Sequence, residues 1–221
     1  MNINTESLHN ESTVYVVDDD AAIRDALSLL ISLNGLRAAV FSSAETFMEA
    51  LDEDWRGCLL TDLKMTGLSG LELQSALKER GVTLPVVVLT AHGDVATTRT
   101  ALKNGAVDFL EKPVDENRLI EVLNSAIRLD HDLHQKNQQK SGMRARLDRL
   151  TEREREVLEL LSQGLQHRGI AERLSISPRT VEVYKARMME KLQCRSLAEI
   201  VQVGTEAAAL RSESVDVRAS S

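Results

Sequence analysis

Residues 13–20 read TVYVVDDD, a β-branched apolar run that passes without a break into three consecutive aspartates. Three further runs end in the same abrupt way. CLLT (58–61) stops at Asp62, VVVL (86–89) stops at Thr90, and VDFLE (107–111) stops at Lys112-Pro113. If these runs are parallel strands of one sheet, their carboxyl ends share an edge, which is where open α/β sheets place their sites. Acids, a hydroxyl and an amine then converge on one spot.

Working outward from residue 13, strand-like runs alternate with helical ones as far as Leu129. The strands read TVYVV, LRAAVF, CLLT, VVVL and AVDFL. The helices read AAIRDALSLLISLN, AETFMEALDE, LELQSALKER, VATTRTALKN and ENRLIEVLNSAIRL. Strands such as CLLT and VVVL, apolar on both faces, suit a parallel sheet covered on both sides by crossover helices. The spacing predicts an α/β fold, a doubly wound parallel five-stranded sheet, over residues 13–129. Gly35, Gly81 and Gly105 stand where helix C-caps are needed, and Ser43 and Asp94 stand where N-caps are needed.

Residues 130–142 are polar (DHDLHQKNQQKSG), and 130–143 read as a helical linker that extends the last helix and fades at Ser141-Gly142. Residues 144–210 are helical again. Thr151-Glu152-Arg153-Glu154 opens a capping box, Gly164 ends that helix, and a short IAERL helix follows. Ser177-Pro178 then starts a longer amphipathic helix. This succession predicts an all-α helix-turn-helix domain. Residues 1–12 and 211–221 are expected to be disordered.

A chain of 221 residues is long enough for two domains. No apolar stretch approaches a membrane span and no signal peptide opens the sequence, so a cytoplasmic location is expected, with no membrane partner. The net charge of −7 conceals an asymmetry: residues 1–140 carry 13 basic and 22 acidic side chains, residues 144–211 carry 13 and 10. The first half suits cations, the second suits an anionic partner. Cys58 and Cys194 show no metal-binding or redox spacing and read as structural thiols. His92, His131, His134 and His167 likewise lack paired spacing and read as solvated polar residues.

Carboxylates held close together repel unless a cation joins them, and Mg²⁺ prefers such hard oxygen ligands. Asp62, alone at its strand end, is best placed to attack phosphorus, since carboxylates do serve as nucleophiles that become aspartyl phosphates. Lys112 and Thr90 would engage the phosphoryl oxygens. Asp20 reads as a simple helix cap.

The motifs VVDDD, LLTDLKM, VVLTAHGD and DFLEKP resemble those of a response-regulator receiver domain of two-component signalling, which is flavodoxin-like. LTEREREVLELLSQG and ISPRTVEVYKARMMEKL resemble the LuxR-type DNA-binding domain, and the combination is similar to the FixJ-like regulators. The resemblance implies a transcription regulator rather than an enzyme. In it Asp62 is the phosphoacceptor, Mg²⁺ is held by Asp19, Asp62 and the Lys64 carbonyl with Asp18 acting through water, Thr90 and Phe109 form a switch pair, and Lys112 contacts phosphate. It implies a sensor histidine kinase as donor, promoter half-sites in double-stranded DNA as target, RNA polymerase as a further partner, and homodimerisation on phosphorylation. That pairing would run through residues 95–102 and 107–110. The chain departs from the family pattern at Thr66, where receivers carry a rigidifying proline. It also departs at His167-Arg168, Tyr184 and Gln193 of the second domain.

On the helix from Pro178 to Leu192, Val181, Met188 and Leu192 share a stripe and are expected to face the core. Arg179, Glu182, Val183, Ala186 and Arg187 are left outside. Glu182 and Val183 are the candidates for base contacts, Arg187 for guanine or phosphate, and Arg179 is counted with the DNA-binding residues. Thr180, Lys185 and Lys191 are candidates for the DNA backbone. Two other readings stay open on the residues alone: an aspartyl-phosphate phosphatase or phosphotransferase, and a receiver whose helical output binds protein. Against the first, Lys64 stands where haloacid-dehalogenase-like enzymes carry a second aspartate.

Overall fold

The computed structural model describes residues 12–52, 54–91, 103 and 105–219, with side chains described as far as residue 208. The chain divides into two compact units, Met1–Gln135 and Lys136–Ser221.

The first unit contains strands β1 (Thr13–Val17), β2 (Arg37–Phe41), β3 (Gly57–Asp62), β4 (Val86–Thr90) and β5 (Asp108–Glu111). They form one sheet in the order β2-β1-β3-β4-β5, and every pair is parallel. Helices α1 (Ala21–Leu33), α2 (Ala44–Ala50), α3 (Gly70–Glu79) and α4 (Glu116–Asp148) connect or follow these strands. The order reverses between β1 and β3, which brings the acids after β1 and the acid ending β3 to adjacent positions on one edge.

Alternation along each strand feeds two cores. Val14, Val16, Cys58, Leu60, Val87 and Leu89 face a layer that includes Leu27, Ile31, Leu119, Leu123 and Ile127 of α1 and α4. Tyr15, Val17, Leu59, Val86 and Val88 face Phe47, Leu73 and Leu77 of α2 and α3. Apolarity on both faces of the central strands is thus used in full. Caps fall where the sequence predicts them: Ser43 closes a capping box with Thr46, and Gly35 and Gly81 turn left-handed after their helices. The predicted N-cap Asp94, the helix VATTRTALKN apart from Lys103, and His92 lie outside the described residues.

The second unit contains α5 (Glu152–Ser162), α6 (His167–Leu174), α7 (Pro178–Leu192) and α8 (Leu197–Ala219) around a core of Val157, Leu161, Ile170, Val181, Met188, Leu192 and Ile200. Two sequence expectations are corrected by the helix bounds. α4 does not fade at Ser141-Gly142 but runs to Asp148, because one glycine costs a helix only about 1 kcal/mol and the Gln, Lys, Met, Arg and Ala around it are good helix formers. α8 likewise runs to Ala219 through most of the tail expected to be disordered, since after Gly204 it meets neither glycine nor proline.

Candidate functional site

At the carboxyl edge of the sheet, Asp18, Asp19 and Asp62 each offer an oxygen, and the three oxygens lie within 4.8 Å of one another. Asp18 is fully buried, Asp62 half-buried and Asp19 exposed, so the cluster forms a pocket that opens to solvent on one side. Lys112 Nζ bridges two of the acids, at 2.8 Å from Asp18 Oδ2 and 3.0 Å from Asp62 Oδ1. Burial pushes the Asp62 carboxyl above the usual carboxylate range, with Lys112 offsetting part of the effect. Burial also pulls the Lys112 ammonium down, but its hydrogen bonds to Asp18 and Asp62 outweigh this and hold it above an ordinary lysine. Among the described residues, Lys112 is the one cation ion-paired with any of these three carboxylates. The pocket's donors are all hard oxygens, which suit a divalent cation of the Mg²⁺ kind.

The other predicted site residues surround this centre. Thr90 ends β4, is buried, and accepts the Lys112 N–H through its carbonyl at 2.6 Å. Phe109 lies on β5 opposite Val88 and packs half-buried into the second core, two register positions from Thr90's partner Glu111. Lys64 is exposed in the loop that follows Asp62. Asp20 acts as the expected cap, accepting from Ala22 N–H at 2.8 Å. The peptide Lys112-Pro113 is cis.

Three residues without a role in the sequence reading, Arg24, Glu45 and Gly70, also build the pocket, together with Thr66, noted there only as a departure from the family pattern. Arg24, one turn into α1, donates to the Asp18 carbonyl at 2.6 Å. Thr66 donates through both N–H and Oγ1 to Asp19 Oδ2, at 2.9 and 2.8 Å, and so holds that carboxyl below the usual range. Glu45 accepts the Leu68 N–H at 3.0 Å from the same loop. Gly70, at the start of α3, is required by close approach, because a Cβ there would collide with the Asp62 carbonyl oxygen and press tightly on Thr61 Cγ2. The serine cap of α3, Ser69 boxed with Glu72, was the only local sign that this loop is fixed.

In the second unit, Ser177 Oγ accepts the Thr180 N–H at 3.1 Å and Pro178 occupies the first turn of α7. The turn before it passes through Ser175 in a left-handed conformation, φ 56°. Val181, Met188 and Leu192 are buried, whereas Arg179, Glu182, Val183, Ala186 and Arg187 are exposed, with Thr180 and Lys185 half-buried at the margin. Lys191, read from the sequence as a candidate for the DNA backbone, places its Nζ 2.6 Å from Oε2 of the buried Glu154. Glu154 is also the capping-box partner of Thr151, so Lys191 is committed to joining α5 and α7. Tyr184 and Cys194 pack against the same core, and Cys58 and Cys194 are free thiols. No helix among the described residues is long and apolar enough to cross a membrane.

Comparisons with known proteins agree with this geometry. Residues 14–124 match the family described as response regulator receiver domain, and residues 148–203 match the bacterial regulatory proteins of the luxR family. The transcriptional regulatory protein FixJ of Bradyrhizobium diazoefficiens is 41% identical over 197 residues, covering 89% of this chain and 96% of that protein. The transcriptional regulatory protein TdiR of Thauera aromatica is 38% identical, covering 87% and 85%. The solved structure of the response regulator StyR aligns with a TM-score of 0.82 at 37% identity over 89% of this chain and 99% of that one. Full-length FixJ from B. japonicum aligns with a TM-score of 0.54 at 39% identity, over 90% and 98%. With a receiver pocket at the edge of a five-stranded parallel sheet and a LuxR-type DNA-binding domain later in the sequence, the chain belongs to the FixJ-like response regulators and is a transcription regulator.

Proposed function

We infer that Asp62 accepts a phosphoryl group from the phosphohistidine of a sensor histidine kinase and that this controls dimerisation and sequence-specific binding to promoter half-sites. The observation that carries the reading is the meeting of Asp18, Asp19, Asp62 and Lys112 at one sheet edge. In the transfer an Asp62 oxygen forms a P–O bond while the P–N bond to the donor imidazole breaks, its electron pair leaving with the ring, which departs as neutral imidazole because its other nitrogen carries a proton. Asp62 is half-buried at the end of β3, and carboxylates serve as nucleophiles that become acyl phosphates.

Lys112 already spans Asp18 and Asp62, so a short swing of Nζ brings it to a phosphoryl oxygen on Asp62. The Thr90 hydroxyl, at the end of the neighbouring strand, takes another. Asp18, Asp19, Asp62 and the Lys64 carbonyl are the residues that would hold Mg²⁺, which supplies the charge neutralisation one lysine does not complete. Phosphorylation draws on Thr90, and Phe109 on β5 is the residue through which the change reaches the pairing face. The residues 95–102 assigned to that face lie outside those described.

In the output domain, Arg179, Glu182, Val183 and Arg187 face solvent and are assigned to the major groove, with Thr180 and Lys185 at phosphates. Two such domains on adjacent half-sites gain from effective concentration, so a phosphorylated dimer binds where a monomer does not. RNA polymerase is the downstream partner, and the cytoplasm is the compartment.

Radiolabel transfer from acetyl phosphate or a charged kinase tests the first step. Wild type should incorporate label and Asp62→Ala should incorporate none; equal incorporation by both would refute the assignment. For the output, mobility-shift titration against a site library should show that Glu182→Ala alters base preference while Lys185→Ala weakens all sites alike.

A further inference from the structure

The loop that leads from Asp62 to α3 is fastened to the rest of the receiver by two acids, Asp19 on the connection after β1 and Glu45 in the first turn of α2. Thr66 N–H and Oγ1–H both reach Asp19 Oδ2, and Leu68 N–H reaches Glu45 Oε1. Asp19 is exposed, so packing does not orient its carboxylate. The two Thr66 bonds do. Because both donors converge on a single oxygen, they use that oxygen's acceptor capacity and fix the plane of the group, leaving the other oxygen as the one it offers the pocket.

Neither bond is a general property of a loop residue. The N–H donor exists only because residue 66 is not proline, which carries none, and the Oγ1 donor exists only in threonine or serine. The partner lies 47 residues away in sequence, so the contact ties the β1 acids to the segment that follows the phosphoacceptor.

Resting on the reading of this pocket as a Mg²⁺ site, we propose that Thr66 is a positioning residue that pins Asp19 by one oxygen and thereby sets the pocket's affinity for Mg²⁺. Outer hydrogen bonds of this kind organise metal-ligating carboxylates, and their loss typically lowers metal affinity by about 10–100-fold.

The test is Mg²⁺ affinity measured by titration calorimetry on the full-length, unphosphorylated chain. Thr66→Val keeps the shape and the N–H but deletes the hydroxyl; it should weaken Mg²⁺ binding by roughly tenfold. Thr66→Ser should bind as wild type does. Thr66→Pro, which deletes both donors, should bind more weakly than Thr66→Val. Melting curves recorded in EDTA verify that each variant folds, and Thr66→Val carries the test if Thr66→Pro does not. As a second readout, the Thr66 amide proton should shift upfield in Asp19→Asn, whose acceptor is neutral. Wild-type affinity in both Thr66→Val and Thr66→Pro would overturn the proposal while leaving the pocket a Mg²⁺ site. No Mg²⁺ binding by wild type would remove the site, and the proposal with it.

Discussion

Each half of the molecule contains a lysine that reaches a buried carboxylate, and the two arrangements differ in balance. In the output domain Lys191 meets Glu154 one to one at 2.6 Å, and Glu154 is further satisfied by the Thr151 capping box. Burial pushes the Glu154 carboxyl up, but Lys191 and Thr151 outweigh it and hold the group below the usual range. In the receiver Lys112 serves two acids with a third beside them, and burial prevails on Asp62, which is pushed up. A balanced pair is a fastening between helices. An unbalanced cluster is a site with unmet demand for positive charge, and the structure of that demand is what a cation and a phosphoryl group satisfy.

The comparison breaks most visibly if its balanced member is opened. Lys191→Met leaves Glu154 buried without its cation, and such a loss costs about 3 kcal/mol, reduced here toward about 2 because Lys191 is one-third exposed. Denaturant unfolding of the isolated melting transition of the output domain, or of the full chain if the two melt together, should record that drop. Since the Glu154 pKa is lowered, its contribution is present above the ordinary glutamate value and is lost as pH falls through the lowered one. The gap between wild type and Lys191→Met should therefore narrow in acid.

Removing an acid from the unbalanced member should do the reverse. Asp62→Asn relieves a carboxylate that burial already disfavours and leaves Lys112 with Asp18, so in EDTA the receiver should gain about 1 kcal/mol, the usual size of a stability gain taken at the expense of a functional site. Mg²⁺ should raise the melting temperature of wild type through linkage and raise that of Asp62→Asn less. If Asp62→Asn destabilises the metal-free protein as Lys191→Met does, the distinction between the two clusters fails.

Much of this contrast was legible before the fold. Strand ends at Asp18, Asp62, Thr90 and Lys112 announce a shared edge because a parallel sheet leaves few other ways to bury CLLT and VVVL. Caps at Ser43, Thr151 and Ser177 were legible because their partners lie within three residues. What escaped was contact across distance. Thr66 with Asp19 and Lys191 with Glu154 join residues 47 and 37 apart, and neither residue type nor spacing marks them until the loops close. The continuity of α4 through Gly142 escaped for another reason. A polar helix and a polar linker share a composition, and a glycine's penalty is too small to decide between them.

A fourth acid in the receiver, Asp130, extends the comparison to a carboxylate with no lysine among its described partners. Asp130 on α4 is buried, accepts the Gly57 N–H at 3.0 Å, and is pushed up by burial, with that hydrogen bond, Arg56 and the nearby histidines offsetting part of the effect. A carboxyl whose folded pKa is raised contributes stability in full below its ordinary value, and that contribution is lost as pH rises through the raised one. Asp130→Asn keeps an acceptor for Gly57 without the charge. It should be the more stable protein at pH 7, and the two proteins should converge toward pH 4 in parallel thermal melts. Divergence in acid would mean that the charge of Asp130 is held by Arg56 and belongs with the balanced class.

The smallest effect concerns backbone rather than charge, and it tests whether the fastening of α7 by Lys191 carries strain with it. The residue that follows α7, Gln193, adopts φ 60° with its side chain exposed, and its N–H caps the helix by reaching the Glu190 and Met189 carbonyls. A left-handed conformation disfavours any side chain with a Cβ, and glycine meets it without that penalty. Gln193→Gly should therefore stabilise the output domain by roughly 0.5–1 kcal/mol, the gain being limited by the greater freedom of glycine in the unfolded chain. Combined with Lys191→Met, the two changes sit two residues apart at one helix end, so additivity is the informative quantity. Additive unfolding energies would mean that the ion pair holds α7 without bending its exit. A gain from Gln193→Gly that disappears once Lys191 is replaced would mean that the pair itself imposes the left-handed turn, and that the balanced cluster stores strain after all.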